Sequence, residues 1–323
     1  VYAILIFLIA FLIRIFNTIY CKWHFSECKF RFVKDKQLFH EMFSFAGWSF
    51  LGNLGFSVKD QGINILINLF FGTAINAARG IAYQVSAVVS GFMANFQMAM
   101  NPQITKRFAA GEVNSMLNLA FCGSRYSFFL LMIIVIPFYI RAPYILDLWL
   151  GNVPSYTIIF LRLVLIMLLV DSMANSLVVA MQATGKIRDF QIMISVIMLA
   201  NLPISYVILK IGADAYSVMY VAIATSLLGL FARLYLLHRL VPFRYMDFIQ
   251  GVFLRNLLVC ISAAIFPVYI SNYLPNNFVG LLVLCMLSLL FSFSAIYFLG
   301  LQHEERSYLL ARINRIIRYK TNN

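Results

Sequence analysis

The chain has 323 residues, of which 62% are hydrophobic and only 11% charged, and it carries a formal net charge of +13. A soluble domain has about 25% charged residues, so this one cannot cover a water-facing surface. The positive charges are dispersed over short connections rather than gathered in a patch, which excludes a nucleic-acid partner and points to the lipid bilayer.

Apolar runs of transmembrane length recur along the chain. In order they cover 1–20, 45–71, 77–100, 116–140, 156–182, 190–211, 215–238, 251–271 and 278–300. The short alternating segments of a membrane barrel do not occur, so the expected fold is an all-α, polytopic transmembrane bundle of about nine helices. The first run opens at Val1 with no Met and no basic flank, which argues against a signal peptide and suggests the C-terminal part of a longer protein. Positive charge sets the expected orientation. Lys22, Lys29, Arg31, Lys34, Lys36, Lys106, Arg107, Lys186, Arg188, Arg239 and Arg244 share one set of loops, with Arg306, Arg312, Arg315, Arg318 and Lys320 in the tail. The alternate loops hold only Arg141 and Lys210, so the basic side and the C-terminus are expected to be cytoplasmic.

The segment 21–43, rich in Lys and aromatics, reads as a cytoplasmic inter-domain loop. The run 45–71 is the most informative. At 100° per residue, Asn53, Ser57, Asp60, Gln61, Asn64 and Asn68 fall on one arc, with Lys59 beside it and next to Gly52, Gly55 and Gly62. Polar groups at membrane depth are expensive unless they line water, substrate or a neighbouring helix. On 77–100, Gly80, Gln84, Ala87, Gly91 and Asn95 form a small-and-polar stripe, whose small members suit close helix packing while Gln84 and Asn95 extend the polar lining. Between the fourth and fifth runs, Ala142–Pro154 is too short to span and reads as an interfacial turn anchored by Trp149. Pro137, Pro203 and Pro267 can kink their helices. In the tail, Leu309, Leu310, Ile313, Ile316 and Ile317 gather opposite Arg312, Arg315 and Arg318, as in an interfacial amphipathic helix.

Arg14, Arg125, Arg233 and Arg255 lie within about two turns of a basic-side helix end and read as snorkelling anchors. Lys59, Asp60, Arg162 and Asp171 have no such exit, and at about 3 kcal/mol each they need partners from another helix, water or ligand. Lys59 and Asp60 diverge by about 100° and cannot pair with each other as helix neighbours do. A buried ion-pair network and a solvated cavity are both open readings, and Arg79 can snorkel or face such a cavity. The five cysteines, Cys21, Cys28, Cys122, Cys260 and Cys285, fit neither disulfide nor zinc spacing. No phosphate loop, nucleophile elbow or zinc-protease motif is present, so neither an enzyme, a metal nor a cofactor is expected.

The strings Asn76-Ala-Ala-Arg-Gly-Ile-Ala-Tyr-Gln-Val85, Phe96-Gln-Met-Ala-Met-Asn-Pro-Gln-Ile-Thr-Lys106 with Ala109-Ala-Gly-Glu112, and Ala183-Thr-Gly-Lys-Ile187 resemble the bacterial polysaccharide flippases. These are the Wzx-type O-antigen and capsule exporters of the MATE-related MOP superfamily. Trp149-Leu-Gly151 and Leu202-Pro-Ile-Ser-Tyr206 look the same way, and the resemblance covers roughly 45–245. It implies that 1–20 is the last helix of a truncated N-lobe, 44–245 a six-helix C-lobe, and 251–300 an extra pair before the tail at 301–323. It implies an inner-membrane protein that flips a polyprenyl-pyrophosphate-linked glycan for surface polysaccharide biosynthesis, alongside a polysaccharide polymerase and other assembly proteins. Lys59, Arg79 and Arg162 would then meet the pyrophosphate. Asn53, Ser57, Gln61, Asn64, Gln84 and Asn95 would meet sugar hydroxyls, and Asp60 and Asp171 would titrate or hold Na⁺, the coupling ion (H⁺ or Na⁺) being open. The alternatives are a multidrug or cation antiporter of the same superfamily, a membrane polymerase or glycosyltransferase, and a structural membrane subunit.

Overall fold

A computed structural model describes residues 2–25, 28, 34–302 and 305–307, and every regular element among them is helical. In chain order these are α1 (Tyr2–His24), α2 (Lys36–Phe71), α3 (Thr73–Ala109), α4 (Val113–Ile140), α5 (Ala142–Leu150), α6 (Thr157–Ala183), α7 (Arg188–Lys210), α8 (Ser217–Leu240), α9 (Tyr245–Phe248), α10 (Arg255–Ser271) and α11 (Phe278–Ala295). Wide π-helical turns at Ile249–Leu254 and Ile296–Gly300 join α9 to α10 and extend α11.

Each expected apolar run lies within a helical stretch to within two residues at its ends, and the chain is an all-α polytopic membrane bundle. Among the described residues, seven helices are long and apolar enough to cross a membrane: α1, α4, α6, α7, α8, the continuous run Tyr245–Ser271, and Phe278–Gly300. The two that carry the polar stripes are not among them. α2 and α3 have ample length, at 36 and 37 residues, and it is their amides and charges that hold down their hydropathy.

Two compact units divide the chain, 1–44 and 45–323. The first contains α1 and the opening turns of α2. The expected loop at 21–43 is shorter than its composition suggested, because α1 continues to His24 and α2 already begins at Lys36. Lys and aromatic side chains are tolerated well in helices, so polarity alone misplaced both ends.

In the second unit α3, α4, α6 and α8 pack together, α7 lies on α8, and α10 and α11 pack on each other and on α4. α6 is apolar around most of its circumference and sits at the centre, with Leu161, Val164, Leu165 and Leu177 inaccessible. The reversal from α2 to α3 takes one residue, Gly72, whose φ of +84° only glycine adopts freely. The expected interfacial turn after α4 is instead a nine-residue helix, α5, with Pro143 in its first turn and Gly151 at φ +70° ending it. Ala142 and Leu146 of α5 are buried, while Trp149 stays exposed.

Two arginines fasten α10 and α11 to α4. Away from the basic loops, Arg141 donates to Asn276 Oδ1 and to the carbonyls of Ser271 (3.2 Å) and Leu274 (3.0 Å). At the basic end, Arg125 pairs with Glu305, which also accepts from the Tyr126 hydroxyl at 2.7 Å. Arg125 is 2% exposed, so it is not a snorkelling anchor. The expected amphipathic tail at 309–317 lies outside the described residues.

Candidate functional site

The polar residues of α2 and α3 separate into an open set and a paired set. Asn53, Ser57 and Gln61 of α2 and Gln84 and Asn95 of α3 are exposed. Gly80 and Gly91 lie in the same α3 stripe, and a Cβ built on either would meet nothing within 4 Å. The expectation that this stripe serves close helix packing is therefore corrected. α3 turns Ala78, Ala82, Val89 and Met93 inward instead. The close approach occurs on another face of α2, where Gly52, Gly55 and Gly62 meet Gln191, Ser195 and Leu202 of α7. Small side chains let two membrane helices come together in this way, and the polar arc of α2 is left beside that contact rather than inside it.

The charges pair across helices. Arg79 donates to Asp60 at 2.7 Å and to Asn64 Oδ1, and its guanidinium lies 4.4 Å from the centre of the Tyr83 ring. Arg79 is 4% exposed, so it neither snorkels nor stands free in solvent. Its Nε is buried without a partner. The half-buried Lys59 ammonium sits 4.9 Å from the centre of the Phe56 ring, and its neighbouring anions are Asp171 and Asp60. Asp171 of α6 lies near Ser226 of α8 and within electrostatic reach of Lys59 and Arg233. The result is a charge row of three cations and two anions, Arg79, Asp60, Lys59, Asp171 and Arg233, drawn from α2, α3, α6 and α8, in which Arg79 and Asp60 are in direct contact and the others lie within electrostatic reach. Pairing offsets part of the desolvation that Arg79 and Asp60 would each suffer alone. With three cations to two anions, the row keeps one unit of positive charge.

Arg162 stands apart from this row. Its Nε donates to the Tyr139 carbonyl at 3.2 Å, and its guanidinium lies 5.3 Å from the Tyr139 ring centre. Four residues after Tyr139 comes Pro143, which has no N–H to give that carbonyl. Arg162 therefore supplies the missing donor where α4 passes into α5.

Arg233, Ser226 and Tyr83 are members of the site that the sequence reading did not single out. The nearby end of α8 suggests a snorkelling anchor, yet Arg233 is buried. Helical side chains lean toward the N-terminus, which for α8 is away from the basic end. Gly229, one turn earlier, leaves the room: a Cβ there would lie 2.9 Å from Arg233 Nη1. A glycine four residues before a mid-helix arginine was the legible signal. Elsewhere, Asn201 donates to Thr225 at 3.2 Å and accepts from Ser205 at 3.3 Å, a buried polar knot between α7 and α8.

Compared with protein-family models, with curated proteins and with solved structures, the chain matches none.

Proposed function

We propose that this protein is a transporter rather than an enzyme, flipping a polyprenyl-pyrophosphate-linked oligosaccharide across a bacterial inner membrane by alternating access for surface polysaccharide biosynthesis. One observation carries the reading: α2 and α3 present open amides and hydroxyls at Asn53, Ser57, Gln61, Gln84 and Asn95 beside a charge row with a positive excess. Amides and hydroxyls both donate and accept, as sugar hydroxyls require. The positive excess suits a pyrophosphate and disfavours the cationic drugs of the antiporter alternative.

Within the row, Lys59 suits the pyrophosphate best, since it donates no hydrogen bond among the described residues. Arg79 is committed to Asp60 and Asn64, and Arg162 to Tyr139, so both hold the walls. Asp60 is neutralised by Arg79, which leaves Asp171 as the site for H⁺ or Na⁺ coupling. In this reading the basic loops are cytoplasmic, and the lipid-linked glycan arrives from that side and leaves toward a polymerase.

The test is export in a host that depends on the full-length protein. Lys59→Ala abolishes surface polysaccharide while membrane insertion stays at the wild-type level. Undiminished export from that variant would remove the reading.

A further inference from the structure

At the basic end of α4, α10 and the segment after α11, one guanidinium pairs with a single carboxylate and two more lie within electrostatic reach. Glu305 is that carboxylate. It takes hydrogen bonds from Arg125, from Tyr126 at 2.7 Å and from the Gln302 backbone N–H at 2.7 Å, with the Cys122 thiol at 3.8 Å. Arg255 lies within electrostatic reach of Arg125, Glu305 and Arg306. Arg306 in turn donates to the carbonyls of Phe298 and Leu301, which closes the end of α11. Three positive charges meet one negative charge, so two are left uncompensated.

The hydrogen-bonding account is equally incomplete. Arg125 Nε, Arg255 Nη1 and Arg306 Nε are buried and have no partner. Asn256, which is 0% exposed, has neither its Nδ2 nor its Oδ1 satisfied. Asn256 lies at the same level of the bundle. Val259 and the Phe129 ring both abut Gly300, and Asn256 and Arg125 each lie one helical turn from these toward the basic end. A buried donor without an acceptor costs about 1–3 kcal/mol, so this cluster of orphans asks for an acceptor-rich guest.

We propose that this cluster holds the phosphate of an anionic phospholipid headgroup, bound by Arg255 and Arg306 with Arg125 behind them and competing with Glu305 for their donors. A phosphate brings several charged acceptor oxygens that suit guanidinium forks. Basic pockets between helices at the charged side of a membrane recognise such headgroups. Arg255 and Arg306 are half-buried and so reachable. Leu254, Leu257 and Leu258, exposed along α10 beside Arg255, provide an apolar track for acyl chains. The site is separate from the charge row of α2, α3, α6 and α8 and does not depend on what the protein transports.

The experiment uses the full chain in nanodiscs of phosphatidylglycerol and phosphatidylcholine, measuring which lipid stays bound on transfer to detergent by native mass spectrometry. Wild-type protein retains phosphatidylglycerol in excess of its share, and Arg255→Gln with Arg306→Gln lowers that retention by about fivefold per arginine removed. Glu305→Gln raises it, because the internal competitor loses its charge. Wild-type retention in the double arginine variant would overturn the proposal. So would stabilisation by inorganic phosphate alone that matches the gain from phosphatidylglycerol, since it would assign the site to a soluble anion.

Discussion

Asp60 and Arg79, nineteen residues apart on consecutive helices, form a 2.7 Å ion pair in which the arginine is almost wholly buried. Removing the acid alone leaves a guanidinium without its counter-charge in a low-dielectric setting. Asp60→Ala is expected to destabilise the protein by about 3 kcal/mol. Adding Arg79→Leu should recover part of that loss, and thermal unfolding in detergent for the two single variants and the double variant measures the coupling. Additive losses would show that the pair does not act as a unit.

Glycines that look alike in sequence differ sharply in their surroundings. A Cβ on Gly280 would lie 2.0 Å from the Pro275 carbonyl oxygen, a rigid backbone atom. Gly280→Ala should cost about 1–3 kcal/mol. Gly80→Ala and Gly91→Ala, which meet open space, should stay within about 0.5 kcal/mol of wild type. If the α3 stripe borders the transport route, Gly91→Trp blocks export at unchanged stability, and unimpaired export would place the route elsewhere.

Arg162 and Pro143 should be coupled through the Tyr139 carbonyl. Arg162→Gln should cost about 1.5 kcal/mol, the worth of a charged hydrogen bond. Pro143→Ala restores a backbone N–H one turn from Tyr139, so Arg162→Gln should cost less in that background. An identical cost in both backgrounds would sever the link between the two residues.

Solvent access separates a wet face from a lipid-facing one. With the five native cysteines changed to Ser, single cysteines at Asn53, Gln61 and Gln84 should react with a membrane-impermeant maleimide. Those at Ile67 and Ala82, which are inaccessible, and at Leu290, exposed on the apolar surface of α11, should not. Equal silence at all six positions would contradict a hydrated α2–α3 surface.

Tyr216, at the non-basic end of α8, donates its hydroxyl proton to Asp214 at 2.9 Å. This bond and the carboxylate charge favour the neutral phenol and raise its pKa above 10.0. Its contribution to stability is present below the unfolded pKa and fades as pH rises through the folded one. Asp214→Asn should lower the pH at which Tyr216 ionises, followed by phenolate absorbance. An unchanged titration would count against the Asp214 contact.

The helices were readable from apolar run length because lipid leaves the backbone few other ways to satisfy itself. The polar arc of α2 was readable from its period. Which side of each helix meets which neighbour was not. Period alone gave no reason to choose between the glycine face and the amide face of α2, and the contact with α7 uses the glycines. Arg233 was misjudged by distance to a helix end, because its side chain leans away from that end, and Arg125 because its partner, Glu305, lies far along the chain where no local pattern reports it. The partnership of Arg162 with Tyr139 depends on a proline in another element, and no local pattern reports that.

The arginine fastenings at both faces decide how the last two membrane helices can behave. Arg141 secures the hairpin between them and Arg125 their far end, so any swing of α4 must carry them along. They are passengers of the bundle rather than an independent lever, and cutting the chain before α9 would strip α4 of a flank it cannot replace from solvent.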